Sequence, residues 1–212
     1  MTKNRIQILK EKMLSQPRYV SIEQALIITK TYKQHENEPI ILKRAYALAN
    51  ALRELEIGIE NEELIVGNRT KGVRYGVVFP ESGISWVDRE FETISTRKQD
   101  KFLVRDEDIK IFREQIVPYW KGKSLEDVIK QNFGKEISAI NKVVKINQTD
   151  HAQGHICPNV EKWLQKGVSG LLEDAQNHYK NADEDKKNFY QAIIIVMKAV
   201  QNFMLRYHDL LI

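Results

Sequence analysis

Apolar residues recur every three or four positions along most of the chain, a periodicity that predicts a mainly α-helical protein. The first helix is predicted for residues 5–14 and ends before Pro17; its apolar face is formed by Ile6, Leu9 and Met13. Residues 21–24, SIEQ, have the pattern of a capping box and predict the start of a second helix. Pro39 predicts the start of a third, whose buried side carries Leu42, Ala45, Leu48, Ala49, Leu52 and Leu55. We expect a helical subdomain over residues 1–57.

The pattern changes after the third helix, where short runs of branched apolar residues replace the helical periodicity. Residues 64–67 and 77–79 predict two short extended segments, the first of them a buried strand or packing segment. Three further helices are predicted in this part of the chain. They cover residues 86–93, a stretch from an Asp106 N-cap through Ile116, and a stretch from Ser124 to about Phe133, with Gly134 as its end.

Two long helices are predicted for the last third of the chain. The inner face of the first carries Val160, Trp163, Leu164, Val168, Leu171 and Ala175. Gly167 and Gly170 weaken this helix and predict that another backbone packs closely against it. The last helix starts at Asp183 or Asp185 and has a wide apolar stripe. Because the sequence ends on an apolar run, residues 210–212, we expect more protein to cover this surface.

Composition and charge narrow the class of protein. Hydrophobic residues make up 42% and charged residues 29% of 212 positions, which is typical of a soluble globular domain. The 33 basic and 29 acidic residues are interleaved, so we expect no nucleic-acid binding. A single cysteine cannot form an internal disulfide and favours a reducing cytoplasm. No apolar run near either end is long enough for a membrane span, so we expect no membrane association.

Residues 150–159 hold the densest group of chemically capable side chains, which are Asp150, His151, Gln153, His155 and Cys157. Gly154 and Pro158 favour an irregular loop, and Pro158 suits the first turn of the helix that follows. A polar loop at a helix N-terminus suits an anionic or hydroxylated ligand. The alternative is a loop whose polar groups cap the helix and satisfy one another.

Two other kinds of site in this loop are not expected. His151 and His155 have the spacing of a helical zinc motif, but the glutamate expected after the first histidine is absent. Gly154 also disfavours the helix that would place both imidazoles on one face, so no metal site is predicted. A nucleophilic pair of Cys157 and His155 is not expected either, because residues two apart in an extended loop point to opposite sides.

Three blocks of sequence occur in a specific order. The first is the helix after Pro39 followed by ELIVGN at residues 63–68; the second is FPE at 79–81, Trp86 and IVPYWKGK at 116–123; the third is Gly154 and His155, Pro158 and the helix after it. Together they resemble the N-terminal part of glycyl radical enzymes of the pyruvate formate-lyase-like group. The order and spacing are similar to the subgroup of glycerol dehydratase, choline trimethylamine-lyase, hydroxyproline dehydratase and the sulfonate C–S lyases.

This resemblance implies the helical N-terminal portion of the glycyl radical enzyme α/β-barrel fold, with a few short strands. It covers residues 1–212 as part of one pyruvate formate-lyase-like domain. Within it we expect the helical subdomain at about 1–57, a mixed segment at 58–147, and the site loop with the long helices at 148–212. This helical front portion would then form one wall of a substrate pocket.

The resemblance also implies radical cleavage of a C–O, C–N or C–S bond in a small polar substrate. Family members are several times longer, with a thiyl-forming cysteine in a Gly-Cys-Val-Glu segment and a radical glycine in an Arg-Val-x-Gly-Tyr-like loop. Neither motif occurs here, and Cys157 lies in HICP instead. We therefore expect this chain alone to be inactive, with no catalytic residue and no bound cofactor. The full-length enzyme would carry a glycyl radical installed by a radical-SAM activating enzyme and would form a homodimer.

Substrate binding is the role that the resemblance assigns to residues of this chain. His155 matches the histidine that hydrogen-bonds a substrate hydroxyl in glycerol dehydratase-like relatives. Gln153 lies about where the sulfonate lyases contact an anionic head group, and His151 and Asp150 are adjacent candidates. No arginine stands at residues 147–149, so a head-group clamp from this loop is not expected.

The alternative function is a free-standing helical interaction module whose apolar last helix binds a protein partner.

Overall fold

The computed structural model describes residues 4–144 and 157–212 and is mainly helical, as the periodicity predicts. Its elements are α1 (Arg5–Ser15), β1 (Tyr19–Ser21), α2 (Glu23–Gln34), α3 (Ile40–Glu54), β2 (Tyr75–Val77), α4 (Ile84–Glu90), α5 (Asp106–Ile111), a π-helical turn (Phe112–Ile116), α6 (Val117–Trp120), α7 (Leu125–Ile140), α8 (Val160–Lys180) and α9 (Glu184–Leu211). Within the two described stretches, no helix has the length and apolar character needed to cross a bilayer.

The chain divides into two compact units. Unit 1 comprises Met1–Gln16, Ile27–Tyr75 and Cys157–Ile212, and unit 2 comprises Pro17–Leu26 and Gly76–Ile156. Neither unit is a continuous stretch of sequence, and two of the boundaries fall inside α2 and β2.

Helices α3, α8 and α9 form the core of unit 1. Leu42 and Ala45 of α3 pack on Ala192 of α9, and farther along Leu52 packs on Phe203 and Tyr207, so these two helices run in the same direction. Helix α8 runs antiparallel to α9, since the Gln201 amide donates to the Ser169 hydroxyl at 3.0 Å and the His178 ring stacks on the Tyr190 ring at 5.3 Å between centroids. The apolar stripes predicted for α3 and α9 therefore face each other.

Arg206 of α9 caps the C-terminal end of α3. Its guanidinium donates to the backbone carbonyls of Leu52 and Leu55, both at 2.7 Å. These carbonyls belong to the last turn of a helix, where no intrahelical N–H is available to them. The adjacent Tyr207 hydroxyl donates to the Asn68 carbonyl at 2.7 Å. Burial, with negative charge on Glu63 nearby, raises the pKa of Tyr207 and keeps this donor protonated.

Replacement of Arg206 by methionine is expected to lower the free energy of unfolding by about 2 kcal/mol, because two part-buried carbonyls lose a charged donor. Urea denaturation followed by circular dichroism measures this loss. Arg53→Met is the matched control, since Arg53 is an exposed residue of α3 that donates to Asn50. Equal midpoints for the two variants would show that Arg206 does not stabilise the end of α3.

Buried aromatic and branched side chains form the core of unit 2. Phe91 meets Phe112 edge-to-face at 4.7 Å between ring centroids, and Ile116 and Trp120 are also buried. Helix α5 continues through the π-helical turn into α6, and the Val117 N–H donates to the Phe112 carbonyl. Pro118 follows directly and has no N–H to offer the preceding turn, so a widened turn at this point accommodates the proline without ending the helix.

Helix α7 begins as predicted and ends later. Ser124 is its N-cap, and the Ser124 hydroxyl accepts from the Asp127 N–H at 3.3 Å and donates to the Asp127 carboxylate at 2.8 Å. Gly134 was expected to end the helix, but α7 continues to Ile140, so this prediction is wrong. Gly134 does not adopt a positive φ, and a glycine ends a helix only where it takes up the left-handed conformation.

Gly134→Ala is expected to stabilise the protein by about 0.5–1 kcal/mol, because glycine in a helix interior loses more backbone entropy on folding than alanine. Apart from the neighbouring residues and the backbone of α7 itself, no atom of the described residues lies within 4 Å of the Cβ that alanine would add. Thermal unfolding checks the direction of the change. A lower unfolding midpoint would mean that residues 125–140 do not form one continuous helix.

The short extended segments differ from the prediction. Residues 64–67 form no strand, and Ile65 is 91% exposed, so the expected buried strand there is wrong. Strand β2 overlaps the second predicted segment only at Val77, and it pairs with β1, which the sequence did not predict. Strands of three residues are too short to show an alternating pattern. Their pairing depends on partners that are distant in sequence.

The start of α2 is another difference. Ser21 lies in β1 and the helix begins at Glu23, so residues 21–24 do not form the predicted capping box. The Gln24 side chain is fully buried, and neither its amide nitrogen nor its oxygen has a hydrogen-bond partner among the described residues. Similarly, Asp106 is the first residue of α5 rather than its N-cap, which is Arg105.

Gln24→Met is expected to raise the free energy of unfolding by about 1–2 kcal/mol. A buried carboxamide without hydrogen bonds carries the cost of desolvation, whereas a methionine of similar shape does not. Urea denaturation of the two proteins measures the difference. A destabilised variant would show that a buried water satisfies the carboxamide.

Candidate functional site

The four predicted substrate-binding residues Asp150, His151, Gln153 and His155 lie outside the described residues. The second described stretch begins at Cys157, which is exposed and has a free thiol. Asn159 is the N-cap of α8, and its side-chain oxygen accepts from the Lys162 N–H at 3.0 Å. Pro158 precedes this cap, so it lies just outside the helix and not in its first turn as predicted. The predicted loop is thus followed at once by a capped helix.

Helix α8 bends sharply at Gly167. This residue has φ 59° and ψ −176°, a conformation essentially restricted to glycine, because a Cβ makes it strained. The bend separates Val160–Lys166, which we call the front segment of α8, from the part of α8 that packs on α9.

Two lysines of the front segment reach Asp174 beyond the bend. Lys166 donates to the Asp174 carboxylate at 2.6 Å, and the Lys162 ammonium lies 3.7 Å from it. In a straight helix residues 162 and 174 would be about 18 Å apart along the axis, more than the two side chains span together. Hydrogen bonding from Lys166, with the positive charge of Lys162 nearby, lowers the pKa of Asp174. The carboxylate therefore remains charged at neutral pH and pairs with both lysines.

Gly170 lets the front segment fold back closely. A Cβ added at this position would lie 3.0 Å from the Lys166 Cβ, whereas residues four apart on a straight helix have Cβ atoms about 5–6 Å apart. The two glycines were expected to admit a second backbone. The close neighbour of Gly170 is instead a side chain of the same helix, so that interpretation is corrected.

The front segment is solvent-exposed. Leu164 is 81% exposed, and Val160 and Trp163 are also exposed, whereas Ala175 beyond the bend is buried. The inner face predicted for α8 is therefore correct only after Gly167. The spacing of apolar residues in the sequence stays helical across Gly167, but the backbone of Gly167 is not helical.

Unit 2 contains an apolar cavity of about 340 Å³. Most of its lining is aliphatic or aromatic, contributed by Val20, Val77, Val78, Phe79, Trp86, Val87, Phe91, Ile94 and Phe102. Its charged lining is an ion pair in which Arg97 donates to Glu90 at 2.9 Å, and the Arg97 Nε–H donates to the Asp100 carbonyl at 2.8 Å. A cavity of this size and polarity suits an apolar group of modest size. Because its lining comes from separate stretches of sequence, no local pattern indicated it.

Within residues 4–144 and 157–212, the structure groups no set of three histidine, cysteine, aspartate or glutamate side chains that could hold a metal ion. Cys157 lies exposed at the start of the second stretch. The described residues that follow the predicted loop in sequence therefore form a capped helix start, a bend at Gly167 and an ion-paired cluster of Lys162, Lys166 and Asp174.

Comparison with known proteins gives matches over the whole chain. The pyruvate formate lyase-like family model matches residues 1–211. The (2S)-3-sulfopropanediol dehydratase of Klebsiella oxytoca is 27% identical over 221 residues, which cover 97% of this chain and 26% of that protein. The isethionate sulfite-lyase of Oleidesulfovibrio alaskensis is 28% identical over 199 residues, covering 85% of this chain and 24% of the relative. The chain thus spans about a quarter of the length of the curated relatives it matches.

Solved structures agree with the sequence matches. The glycerol-bound B12-independent glycerol dehydratase from Clostridium butyricum superposes with a TM-score of 0.90 at 29% identity. The match covers 99% of this chain and 28% of the dehydratase. The matched proteins named here are dehydratases and a sulfite-lyase, and a solved glycyl radical enzyme from Archaeoglobus fulgidus matches as well. The described helices therefore have the arrangement of one part of a larger fold.

Proposed function

Because the chain belongs to the pyruvate formate lyase-like family of glycyl radical enzymes, we propose that it supplies the N-terminal part of a glycyl radical lyase or dehydratase. The enzyme would cleave a C–O, C–N or C–S bond of a small polar substrate. The observation that carries this proposal is the superposition of 99% of the chain on one part of a glycerol-bound dehydratase. The family resemblance of the sequence blocks supports the same conclusion.

The part of the enzyme that we assign to this chain is substrate binding. His155 would form a hydrogen bond with a substrate hydroxyl, and Gln153 would contact a polar or anionic head group. His151 and Asp150 are adjacent in the same loop and would complete its polar surface. Inside an enclosed pocket these hydrogen bonds are stronger than in water, because the effective dielectric constant is lower.

The reactive groups would come from further sequence. A thiyl cysteine in a Gly-Cys-x-Glu segment and a radical glycine are needed for the chemistry, and the sequence printed here has neither motif. The glycyl radical would be installed by a radical-SAM activating enzyme and would initiate bond cleavage when present. We further propose a cytoplasmic enzyme that is a homodimer when full length.

Exposed apolar side chains within the chain support this proposal. Ile65 is 91% and Leu164 is 81% exposed, although leucine and isoleucine are among the residues most often buried. Met204 and Leu205 on α9 are exposed as well. These side chains are available for contact with additional protein.

The experiment is an immunoblot and mass measurement of the native protein, followed by electron paramagnetic resonance after treatment with the activating enzyme. We expect a polypeptide several times longer than 212 residues that shows a glycyl radical signal. The radical form should convert a substrate of the kinds named for the matched proteins, such as glycerol, sulfopropanediol or isethionate. A native protein without radical signal and with no associated radical-bearing chain would contradict the proposal.

The alternative, a helical interaction module, rests on the same exposed residues of α9. Light scattering and hydrogen exchange on the isolated chain separate the two functions. A discrete, protected oligomer favours the module, whereas aggregation or weak protection of α9 favours an enzyme part whose contacts are missing.

Cys157→Ala is expected to leave radical formation and turnover of the active enzyme within about twofold of the unmodified protein. The Cys157 thiol is exposed and lies outside the sequence context of a thiyl site. Steady-state kinetics under anaerobic conditions measures this. Complete loss of turnover, the result expected for a thiyl cysteine, would assign the radical chemistry to this chain after all.

A further inference from the structure

We propose that the apolar cavity of unit 2 is a binding site for a small neutral aromatic alcohol, whose hydroxyl is held by the ion pair of Glu90 and Arg97. All the residues that line this cavity belong to unit 2 and to the described part of the chain. The cavity shares no residue with the proposed substrate-binding loop, residues 150–155, so it would be a second site.

The innermost part of the cavity is apolar. Its least exposed lining residues, each between 4% and 9% exposed, are Val20, Val78, Val87 and Phe91. Backbone groups of the lining are already paired, since the Val20 N–H donates to the Leu103 carbonyl at 2.9 Å and the Phe102 N–H donates to the Ile94 carbonyl at 3.2 Å. A water molecule needs two to four polar partners, which these side chains do not offer. The innermost part therefore favours the apolar body of a ligand over water.

The size and the aromatic content of the lining indicate a ligand with rings. The aromatic lining residues are Phe79, Trp86, Phe91 and Phe102. Aromatic side chains attract other rings in offset-stacked and edge-to-face arrangements. A cavity of about 150 Å³ binds one benzene ring. The 340 Å³ in unit 2 therefore admits two fused rings with a small polar group. Trp86 is 40% exposed, so the cavity is open to solvent at this residue.

The charged lining residues determine which polar group the ligand carries. Glu90 and Arg97 have side chains that are 38% and 37% exposed, and they pair at 2.9 Å, so their charges cancel. The Arg97 Nη1 donates to the Glu90 Oε2, and the Arg97 Nε donates to the Asp100 carbonyl. The Glu90 Oε1 and the Arg97 Nη2 take part in neither bond. A hydroxyl donates to a carboxylate and accepts from a guanidinium, and it brings no charge to a neutral pair.

The test is isothermal titration calorimetry of the full-length protein with 2-naphthol, a neutral two-ring alcohol. We expect saturable binding at one site. Naphthalene has the same rings without the hydroxyl and should bind about tenfold more weakly, because hydrogen bonds to charged groups are lost. The carboxylate 2-naphthoate should also bind at least tenfold more weakly, because Glu90 repels it.

Two results of these titrations would overturn the proposal. The absence of saturable 2-naphthol binding up to its solubility limit would remove the site, and it is the result expected if further sequence fills the cavity. Equal affinities for 2-naphthol, naphthalene and 2-naphthoate would remove the role of the ion pair, because apolar burial alone would then account for binding.

A cavity-filling variant locates the bound ligand. Val77→Trp, at a part-buried lining residue in β2, should abolish 2-naphthol binding. Val128→Trp is the matched control, because Val128 is exposed on α7 of the same unit, and it should leave the affinity within about twofold. Circular dichroism shows whether both variants fold. Unchanged binding by a folded Val77→Trp variant would place the ligand elsewhere and overturn the proposal.

A second variant decides the role of the ion pair even if Val77→Trp does not fold. Glu90→Gln keeps the shape of the side chain but leaves the charge of Arg97 without its carboxylate partner. The ratio of 2-naphthoate to 2-naphthol affinity should therefore rise at least tenfold. A merely structural ion pair would weaken both ligands alike, and an unchanged ratio in folded Glu90→Gln would overturn the proposal.

Discussion

Phe112→Ala is expected to lower the free energy of unfolding by about 3–5 kcal/mol, the largest loss that we expect from any single substitution. The Phe112 side chain is 0% exposed, so alanine leaves a cavity with no route for solvent to fill it. The edge-to-face contact with Phe91, at 4.7 Å between ring centroids, is lost as well. Phe112 also begins the π-helical turn, so the cavity would open where α5 passes into α6.

Urea denaturation followed by circular dichroism measures this loss. Phe133→Ala is the matched control in the same unit, because Phe133 is exposed on α7 and its removal should change stability by less than about 0.5 kcal/mol. Similar losses for both variants would mean that Phe112 is not in the core of unit 2. A loss well below 2 kcal/mol would mean that the surrounding helices close over the cavity.

Helices whose apolar stripe faces one neighbour could be predicted well from the sequence. Helix α3 begins directly after Pro39 and α9 directly after Asp183, and both starts agree with the predictions, although the Asp183 side chain makes no capping hydrogen bond. Their stripes meet at Leu52, Phe203 and Tyr207. In such cases the information needed lies within a few turns of one helix.

Features that depend on distant partners could not be predicted. Strand β1 pairs with β2 more than fifty residues later, and three residues carry no recognisable period. Apolar residues 64–67 were expected to be buried, yet Ile65 is exposed, since composition does not show whether a covering surface is present. The lining of the cavity in unit 2 is likewise assembled from separate segments.

The candidate site shows the same division. Gly167 and Gly170 could be identified as unusual from the sequence, but a glycine permits many conformations and does not specify one. The bend became evident only from the Gly167 backbone and from the contacts of Lys162 and Lys166 with Asp174. The roles of Gln153 and His155 came from family resemblance, and these residues lie outside the described stretches, so their roles stay predictions.

His155→Ala in the active enzyme is expected to lower kcat/KM about 100-fold, equivalent to about 2.7 kcal/mol. The reason is that a substrate hydroxyl in an enclosed pocket would lose its hydrogen-bond partner and remain desolvated. His155→Gln should recover part of the loss, because a carboxamide also donates and accepts hydrogen bonds. Steady-state kinetics with diol and hydroxysulfonate substrates measures all three proteins.

His208→Ala is the matched histidine control, since His208 is exposed on α9, pairs with Asp209 and has no proposed part in catalysis. If both histidine variants retain full activity, His155 does not bind substrate, and Gln153 becomes the residue of this loop to test next. A loss confined to His155→Ala but equal for every substrate, including those without a hydroxyl at the reacting position, would indicate that the imidazole holds the loop in place. A loss of activity that is restricted to hydroxylated substrates would indicate direct contact, because only those substrates carry the hydroxyl with which His155 would form a hydrogen bond.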